Sequence, residues 1–377
     1  MKKLNLQLMI LAGAILLVSA ACSDNDPVVP STEPLLVGQS GDGLLEANLE
    51  QIVKTHNLPA INAMIVESGT LLESGSYGLR SVGSDEPVSS NDKWHLGSIT
   101  KSMTATLTAI LIEEGHLTWE TSIDDLIDEG YRPEFADVTI YELLSHTGGI
   151  SDEELSPDPA DNRPLSEIRQ EWAIGALNLN PGNRGQSVYA NNNYIIAGAM
   201  LEFIMEKSWE DLMVEYLFQP LGMNDTGFGV PGIAGMFDQP WGHTGRSNNW
   251  ETRDPGDISS ENPLALGPAG TVHSTTSDLV KYVGLHQGLT NLLSSESLDM
   301  LHSEVNNTAY ALGWNVSPSA IFHSGSNGRW FAQLVITSNN LALFAVTNSS
   351  DGINGNSAKA VQETLSLMGQ RYENSQR

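Results

Sequence analysis

The 377-residue sequence contains a single cysteine, Cys22. One thiol cannot form an intramolecular disulfide, and it cannot supply the clustered thiolates of a structural zinc or iron–sulfur site. Basic residues are also scarce, because 18 Lys and Arg stand against 46 Asp and Glu and give a formal net charge of −28 at pH 7. A chain this negative repels phosphate backbones, which argues against nucleic acid as a partner.

The apolar run Leu8–Val18 is too short for a transmembrane helix, which needs about 20 residues. It follows a short basic start, Lys2 and Lys3, and it precedes the small residues Ser19–Ala21. A positive n-region, an apolar h-region and a small-residue cleavage site are the layout of a secretory signal. Residues 1–21 are therefore predicted to be a signal peptide. Its removal takes away the two lysines and no acid, which changes the net charge from −28 to −30.

The cysteine lies directly after this signal. Cys22 follows Ala20 and Ala21, which resembles a bacterial lipoprotein box in which the cysteine carries the lipid. The alternative is an ordinary secretory signal with Cys22 as an incidental thiol. The lipoprotein is favoured because the one cysteine stands at the one position that the motif requires. Acyl chains would then anchor the protein to a bacterial membrane in the cell envelope, facing the periplasm or the exterior.

The rest of the chain divides into a tether and one folded domain. Residues 22–43 are rich in Asp, Pro and Ser and are predicted to be a flexible tether. Residues 44–377 are predicted to fold as one domain, in which an α/β part (44–100 and 265–377) encloses a mainly helical lobe (101–264). The terminal strands are short, consecutive and joined by tight polar loops. They predict an α+β fold, with an antiparallel sheet flanked by N- and C-terminal helices.

Apolar periodicity locates the main elements of that domain. Helices are predicted over Glu46–His56, Ser98–Glu114, Tyr194–Lys207 and Ser357–Met368, and strands around Ile61–Glu67, Leu71–Leu79, Ala309–Val316, Ala320–Ser324, Phe331–Thr337 and Leu341–Thr347.

Several common catalytic motifs are missing from the sequence. It has no G-x-S-x-G, no H-E-x-x-H and no Gly-Lys pair that could belong to a P-loop. Its nine histidines include no pair at the spacing of a helical metal site. No metal site is predicted.

A serine–lysine pair stands at the start of a long apolar segment. Ser98 and Lys101 are three residues apart, so on a helix their side chains share a face. A serine needs a base to become a nucleophile, and a lysine can be that base when burial lowers its pKa. A second S-x-x-K, Ser90 and Lys93, lies in a polar segment with no apolar helix behind it. Ser98 and Lys101 are therefore the candidate nucleophile and base.

At these residues the segment WHLGSITKSMTA resembles the nucleophile helix of the serine penicillin-recognising enzymes, in the branch of class C β-lactamases and D-alanyl-D-alanine carboxypeptidases. Similar stretches follow in the family's order at Leu143–Gly149, Pro220–Met223 and Leu312–Trp314. The resemblance covers nearly everything from about residue 44 to the end, and it implies a β-lactamase/transpeptidase-like fold.

The resemblance implies a second element of the form Tyr-x-Asn, matched by Tyr189 and Asn191. A tyrosine near the base can relay protons to the leaving group, and an asparagine amide can hold a substrate carbonyl. The neighbouring Asn192 and Asn193 leave open which amide does this. The same spacing recurs at Tyr372–Asn374, which the sequence places in a frayed polar tail.

The third element that the resemblance implies lies on a sheet edge and is matched by His323-Ser324-Gly325. His323 would help to position the substrate, and Gly325 would let the substrate backbone approach the strand closely. The backbone N–H groups of Ser98 and Ser326 would form the oxyanion hole. The family carries either lysine or histidine at this position. A lysine would hold the carboxylate of a β-lactam or of a peptide C-terminus, whereas an imidazole is mostly neutral at pH 7. The resemblance implies that carboxypeptidases and esterase-like relatives also carry histidine here.

The resemblance thus implies a serine hydrolase that acts through an acyl-enzyme on an amide or ester in a small molecule or peptide. Carboxypeptidase, D-aminopeptidase or esterase activity is favoured over β-lactam hydrolysis, and no cofactor or metal is expected. One alternative is a catalytically silent penicillin-binding-like sensor or binding lipoprotein. A structural envelope protein is the other.

Overall fold

The computed structural model describes residues 35–377 apart from residues 128, 154, 156–160, 162, 247 and 248. The predicted signal peptide, the lipidation candidate Cys22 and the first part of the predicted tether lie outside the described residues. None of the helices in the described part of the chain combines the length and apolarity needed to cross a bilayer.

Strands and helices follow one another in runs along the described chain, with helices in the middle, over residues 100–221, and strands near the end, over residues 315–350. The strands are β1 (Ala60–Glu67), β2 (Thr70–Gly78), β3 (Trp94–His95), β4 (Gly227–Phe228), β5 (Gly242–Arg246), β6 (Asn249–Arg253), β7 (Val272–Ser274), β8 (Asn315–Ser317), β9 (Ala320–Ser326), β10 (Phe331–Thr337), β11 (Leu341–Thr347) and β12 (Ser349–Ser350). The α-helices are α1 (Leu44–His56), α2 (Thr100–Glu113), α3 (Ile140–Leu144), α4 (Leu165–Ala176), α5 (Asn191–Met205), α6 (Trp209–Leu212), α7 (Gln219–Leu221), α8 (Gly267–Gly270), α9 (Thr276–His286), α10 (Ser295–His302) and α11 (Asn356–Ser375).

Strands from both ends of the chain form one six-stranded sheet in the order β2-β1-β11-β10-β9-β8. All of its neighbouring strands are antiparallel, with Ile61 of β1 opposite Thr347 of β11 and Gly325 of β9 opposite Ala332 of β10. The mixed α/β architecture with an antiparallel sheet confirms the predicted fold class. The bounds of the predicted tether, domain and lobe stay predictions.

The sheet is buried on both faces. Alternate residues of β1 belong to different hydrophobic cores, with Met64 on one side and Ile65 on the other. The core on the Ile65 side includes residues of α1 and α11, and the core on the Met64 side includes residues of α2, α5 and α9. Because helices cover both faces of the sheet, β1 is a largely apolar run in which apolar and polar residues do not alternate.

Two of the predicted elements are wrong in extent. The predicted strand Ala309–Val316 is extended only from Asn315, because Ala309 and Gly313 take positive φ angles of 57° and 80° that interrupt a strand. The last helix continues well past Met368, so Tyr372 and Asn374 lie in its final turns and not in a frayed tail. Its end is tied to the sheet, because the Tyr372 hydroxyl donates a hydrogen bond to Glu67.

The inserted lobe is less purely helical than the sequence suggests. Strands β5 and β6 form a hairpin within it, and β5 pairs in parallel with β12 from the end of the chain. Strand β4 pairs with β7, which also pairs with β3 just ahead of Ser98. These small sheets connect residues 227–253 of the lobe to both flanks of the candidate site.

Candidate active site

Ser98 lies in a single 3₁₀ turn, Gly97–Ile99, that leads directly into helix α2. The helix is buried from Thr100 to Leu111, and its hydroxyls are paired either with the preceding turn, as Thr106 is with the Ser102 carbonyl at 2.8 Å, or with a neighbouring segment, as Thr104 is with the Pro268 carbonyl at 2.7 Å. A central buried helix can therefore carry polar residues without leaving them unpaired. Ser98 itself stays partly exposed at the positive end of the helix.

Lys101 is fully buried one turn along, and its Nζ has three oxygen neighbours. The Ser98 Oγ lies at 3.1 Å, the Asn191 Oδ1 at 2.8 Å and the carbonyl oxygen of Ala269 at 2.7 Å. Burial lowers the pKa of Lys101 well below its usual value. Its two closest partners are uncharged carbonyl oxygens, which compensate the cost of a buried ammonium less than a carboxylate would.

Among the three consecutive asparagines at the start of α5, Asn191 is the one that contacts Lys101. Asn192 instead donates to the backbone carbonyls of Ser151 and Glu153, and Asn193 lies 3.0 Å from the Nδ1 of His146. The first helical turn directs the three amides to different neighbours. The geometry therefore singles out Asn191 as the amide of the site.

The ring of Tyr189 lies beside the lysine, with its centroid 4.8 Å from Nζ. A second ring, that of Tyr194, lies 5.6 Å from the same atom. Tyr189 keeps 46% of its surface exposed, yet burial of its hydroxyl raises its pKa, an effect that a hydrogen bond with Ser98 partly opposes. Tyr189 therefore keeps its phenolic proton at neutral pH and holds it next to Ser98.

His323 lies on β9, buried, with both ring nitrogens engaged by the protein. Its Nδ1 lies 2.7 Å from the Ser324 carbonyl, which can only accept, so Nδ1 carries the proton and Nε2 accepts from the Tyr310 hydroxyl at 3.2 Å. Burial and the nearby Lys101 lower the pKa of His323 to about 3. The imidazole is therefore neutral, and it supports Tyr310 rather than presenting a free nitrogen to a substrate.

His146 is a site residue to which the sequence assigned no role. Its ring packs between the rings of Tyr189, Tyr194 and Tyr310, with centroids 4.6, 5.3 and 4.9 Å away. Burial, together with Lys101 and His323, lowers its pKa well below the usual value. In the sequence, only its position within Leu143–Gly149, one of the stretches similar to the family, pointed to this residue. The His146 ring restrains the position of the Tyr189 ring by packing against it.

Backbone contact between two glycines joins the nucleophile turn to β9. A Cβ on Gly325 would lie 1.9 Å from the Leu96 carbonyl oxygen and 2.6 Å from the Ser98 nitrogen. A Cβ on Gly97, whose φ is +52°, would lie 2.3 Å from the Ser326 nitrogen. The backbone nitrogens of Ser98 and Ser326 therefore both lie at this contact between the turn and the strand. Two N–H groups so arranged are what an oxyanion hole requires.

Metal-ligand clusters are not found in the described part of the chain, where no group of three or more His, Cys, Asp or Glu side chains could hold an ion.

Sequence comparison finds relatives of this chain at low identity. Penicillin-binding protein 4 of Amycolatopsis lactamdurans is 26% identical over 317 residues, covering 78% of this chain and 81% of that protein. Unguisins hydrolase ungD of Aspergillus violaceofuscus (strain CBS 115571) is 24% identical over 254 residues, or 64% of this chain. This chain spans only 44% of the length of that second relative.

Solved structures show the same fold. The D-amino acid amidase from Ochrobactrum anthropi SV3 superposes with a TM-score of 0.72 at 18% identity, covering 88% of this chain and 99% of that one. The octameric penicillin-binding protein homologue from Pyrococcus abyssi gives 0.70 at 21% identity, covering 88% and 78%. A family model described as Beta-lactamase matches residues 45–366, which is most of the sequence. The chain therefore belongs to the β-lactamase family of serine hydrolases.

Proposed function

We propose that this protein hydrolyses an amide or ester through an acyl-enzyme formed on Ser98. The observation that carries the proposal is the buried Lys101 amine, 3.1 Å from the Ser98 Oγ and held otherwise by two carbonyl oxygens. An amine in these surroundings loses its proton readily, because burial penalises the ammonium form.

The geometry directs the neutral amine at the serine. A neutral amine has two hydrogens and one lone pair. The shorter contacts, to Asn191 Oδ1 and to the Ala269 carbonyl, take the two N–H groups because both atoms can only accept. The lone pair then faces Ser98 Oγ and can accept the hydroxyl proton as the oxygen attacks the substrate carbonyl.

The charge that develops during attack has two sources of stabilisation. The oxyanion would accept hydrogen bonds from the N–H groups of Ser98 and Ser326, each worth about 3–4 kcal/mol in comparable sites. The proton taken up by Lys101 makes an ammonium beside the rings of Tyr189 and Tyr194, whose faces attract a cation.

Tyr189 fits the role of general acid. Its raised pKa keeps the hydroxyl protonated, so it can give its proton to the leaving nitrogen or oxygen as the C–N or C–O bond breaks, and recover one from Lys101. The acyl group stays on Ser98 as an ester. Water then attacks that ester, the C–Oγ bond breaks, and the products are a free acid and the original serine.

Uncharged substrates suit this site better than anionic ones. His146 and His323 are both neutral because their pKa values are lowered, so neither imidazole offers a cation to a substrate carboxylate. Esters and D-amino acid amides are therefore favoured over β-lactams and over peptides of the carboxypeptidase type, because the last two carry a carboxylate. The printed names of the relatives, a D-amino acid amidase and a hydrolase of unguisins, support the inclusion of D-amino acid amides and peptides.

A substrate panel tests the proposal. Purified protein lacking residues 1–34 would be offered short-chain aryl esters, D-amino acid amides, D-Ala-D-Ala peptides and a chromogenic cephalosporin. We expect turnover of an ester or amide, and complete loss in Ser98→Ala. The matched control is Ser90→Ala, which alters the exposed serine of the other S-x-x-K and should leave turnover unchanged.

Two results would contradict the proposal. Turnover by Ser98→Ala would assign the chemistry to another residue. Stoichiometric labelling of Ser98 by a fluorophosphonate or a penicillin, with no turnover of any substrate, would favour the sensor or binding lipoprotein instead.

We also propose that Cys22 is lipidated and anchors the protein in the cell envelope. The support is the position of the chain's one cysteine directly after a signal-like segment. Full-length protein expressed in a bacterial host should incorporate labelled palmitate and sediment with membranes. Cys22→Ser should do neither, and an equal membrane fraction for both proteins would refute the anchor.

A further inference from the structure

Glu261 lies in the lobe, outside the short motifs by which the sequence was compared with the family, yet it contacts both sides of the candidate oxyanion hole. It sits between the short turns Ile258–Ser260 and Leu264–Leu266, and its side chain is only 12% exposed. One carboxylate oxygen faces the nucleophile turn. The other faces the turn that follows Ser326.

The first contact runs through His95. The fully buried imidazole accepts a hydrogen bond at Nδ1 from the backbone N–H of Gly97, at 3.1 Å. Because Nδ1 accepts, the ring proton is on Nε2, which donates to Glu261 Oε2 at 2.8 Å. The ring also stacks on Trp330, with centroids 5.5 Å apart. Glu261 therefore fixes the tautomer and the orientation of the His95 ring. This ring in turn holds the backbone N–H of Gly97, the residue before Ser98.

The second contact runs through Asn327. Its Nδ2 donates to Glu261 Oε1 at 3.3 Å, while its Oδ1 accepts from the backbone nitrogens of Arg329 and Trp330 at 3.0 and 3.2 Å. Asn327 directly follows Ser326 and shapes the turn between β9 and β10. The carboxylate therefore also restrains the strand end that carries the second oxyanion-hole N–H.

We propose that Glu261 is a positioning residue that sets the spacing of the two oxyanion-hole N–H groups by linking His95 to Asn327. The inference rests on the proposed function. A carboxylate suits the position because all its neighbours are donors: His95 Nε2, Asn327 Nδ2 and the Asn262 backbone nitrogen at 2.7 Å. Only an acceptor-only group satisfies all three.

The size of the effect follows from the sensitivity of catalysis to geometry. A displacement of about 1 Å can cost about 100-fold in rate, whereas substrate affinity depends on contacts elsewhere in the site. Glu261→Ala should lower kcat and the rate of Ser98 phosphonylation by the same factor of about 10 to 100, with KM changed less than about threefold. A boronic acid transition-state analogue should bind more weakly by that factor.

The experiment measures fluorophosphonate labelling of Ser98 by mass spectrometry, ester turnover and boronate affinity in five proteins. Wild type and Ser98→Ala decide the proposed function by themselves. Glu261→Ala is compared with Glu251→Ala, an exposed acid of the same lobe that pairs with Arg253 and should behave as wild type. Glu261→Gln is the variant least prone to misfolding, because glutamine keeps the shape of the side chain. It turns an N–H₂ group toward a donor, so its labelling rate and turnover should fall between those of wild type and Glu261→Ala.

Three results would overturn the inference while leaving the proposed function intact. A folded Glu261→Ala variant whose labelling rate and ester turnover stay within about twofold of wild type would show that the carboxylate does not set the spacing of the oxyanion-hole N–H groups. A rise in KM with unchanged kcat would make Glu261 a substrate contact instead. A lower melting temperature with unchanged labelling in both Glu261 variants would make its role structural only. Absence of Ser98 labelling in wild type would overturn both proposals.

Discussion

At the scale of single residues, Gly325 is the most restricted position of the site, because its missing side chain lets β9 touch the nucleophile turn. Gly325→Ala would drive a Cβ to within 1.9 Å of a backbone oxygen and 2.6 Å of the Ser98 nitrogen. Neither atom can move without moving the turn. We expect loss of fluorophosphonate labelling, together with destabilisation of at least about 1–3 kcal/mol, measured by urea unfolding.

The matched control is Gly284→Ala in α9, where an added Cβ would meet nothing within 4 Å. Alanine is the better helix former by about 0.8–1.0 kcal/mol, so this variant should label normally and gain stability. Normal labelling of Gly325→Ala would show that β9 and the nucleophile turn can separate without harm to the site.

The residues that sequence reasoning found are those whose geometry follows from a short motif. Ser98 and Lys101 meet because three residues make nearly one helical turn, and Tyr189 and Asn191 flank the start of α5. The Ala269 carbonyl could not be predicted, because a backbone atom leaves no signature in the identity of its residue. The hydrogen bond between His323 and Tyr310 could not be predicted either, because Tyr310 lies in the segment Ala309–Val316, which the sequence pattern assigned to a strand.

At the scale of elements, a buried charge cluster joins three helices of the lobe. Arg169 of α4 pairs with Glu202 of α5 and, at 2.6 Å, with Glu210 of α6. Its Nε donates to the Ala265 carbonyl at 3.1 Å, just ahead of α8, which carries the Ala269 carbonyl beside Lys101. The helices that carry Asn191 and Ala269 are therefore fixed to one guanidinium.

Arg169→Met should destabilise the protein by about 3–5 kcal/mol at pH 7, because it leaves two carboxylates without their buried cation. The loss should shrink as pH falls, since burial raises the pKa of Glu202 and the unpaired acid can take up a proton. Urea unfolding followed by tryptophan fluorescence measures both effects. Arg132→Met removes an exposed pair with Glu134 and should cost less than about 1 kcal/mol. Equal losses in the two variants would contradict this account.

Element type was more predictable than element extent. The core-facing periodicity of the sheet strands and of the main helices is set by burial, which the sequence records directly. Helix α11 runs past its predicted end because Arg371 pairs with the buried Glu73 of β2, a contact between positions almost 300 residues apart. Long-range pairing of this kind cannot be read from local pattern.

At the scale of the whole molecule, the net charge of −28 has no role in the proposed chemistry. In the described part of the chain, the buried acids are Glu73, Asp92, Glu202 and Asp278. The acidity therefore lies mainly at the surface, and we interpret it as an adaptation to saline surroundings. Like charges repel less when salt screens them, with a Debye length of about 10 Å at 0.1 M and about 3 Å at 1 M.

Raising sodium chloride from 0.1 to 1 M should therefore raise the melting temperature by several degrees, measured by differential scanning fluorimetry. Sodium sulfate strengthens apolar burial as well, so the comparison should use chloride. A melting temperature that is indifferent to chloride would contradict the surface interpretation.

Six buried or half-buried histidines give the molecule a second global property, a steep loss of stability in mild acid. Burial lowers the pKa of each of them: to about 4 for His243, His273 and His302, to about 3 for His323, and well below the usual value for His146 and His286. In the unfolded chain an imidazole takes up its proton near pH 6.5. Between pH 6.5 and 4 the unfolded chain therefore binds more protons, and stability falls as pH falls.

Each such histidine contributes up to about 1.4 kcal/mol per pH unit, so the free energy of unfolding should drop by several kcal/mol between pH 6.5 and 5. Urea unfolding at half-unit steps of pH gives the slope, and hence the number of protons involved. His302→Gln keeps a polar group beside His286 but cannot titrate, so its slope should be smaller by about one proton. An unchanged slope in this variant would show that His302 does not contribute to the acid sensitivity, and a slope that vanished in 1 M chloride would assign the sensitivity to surface charge.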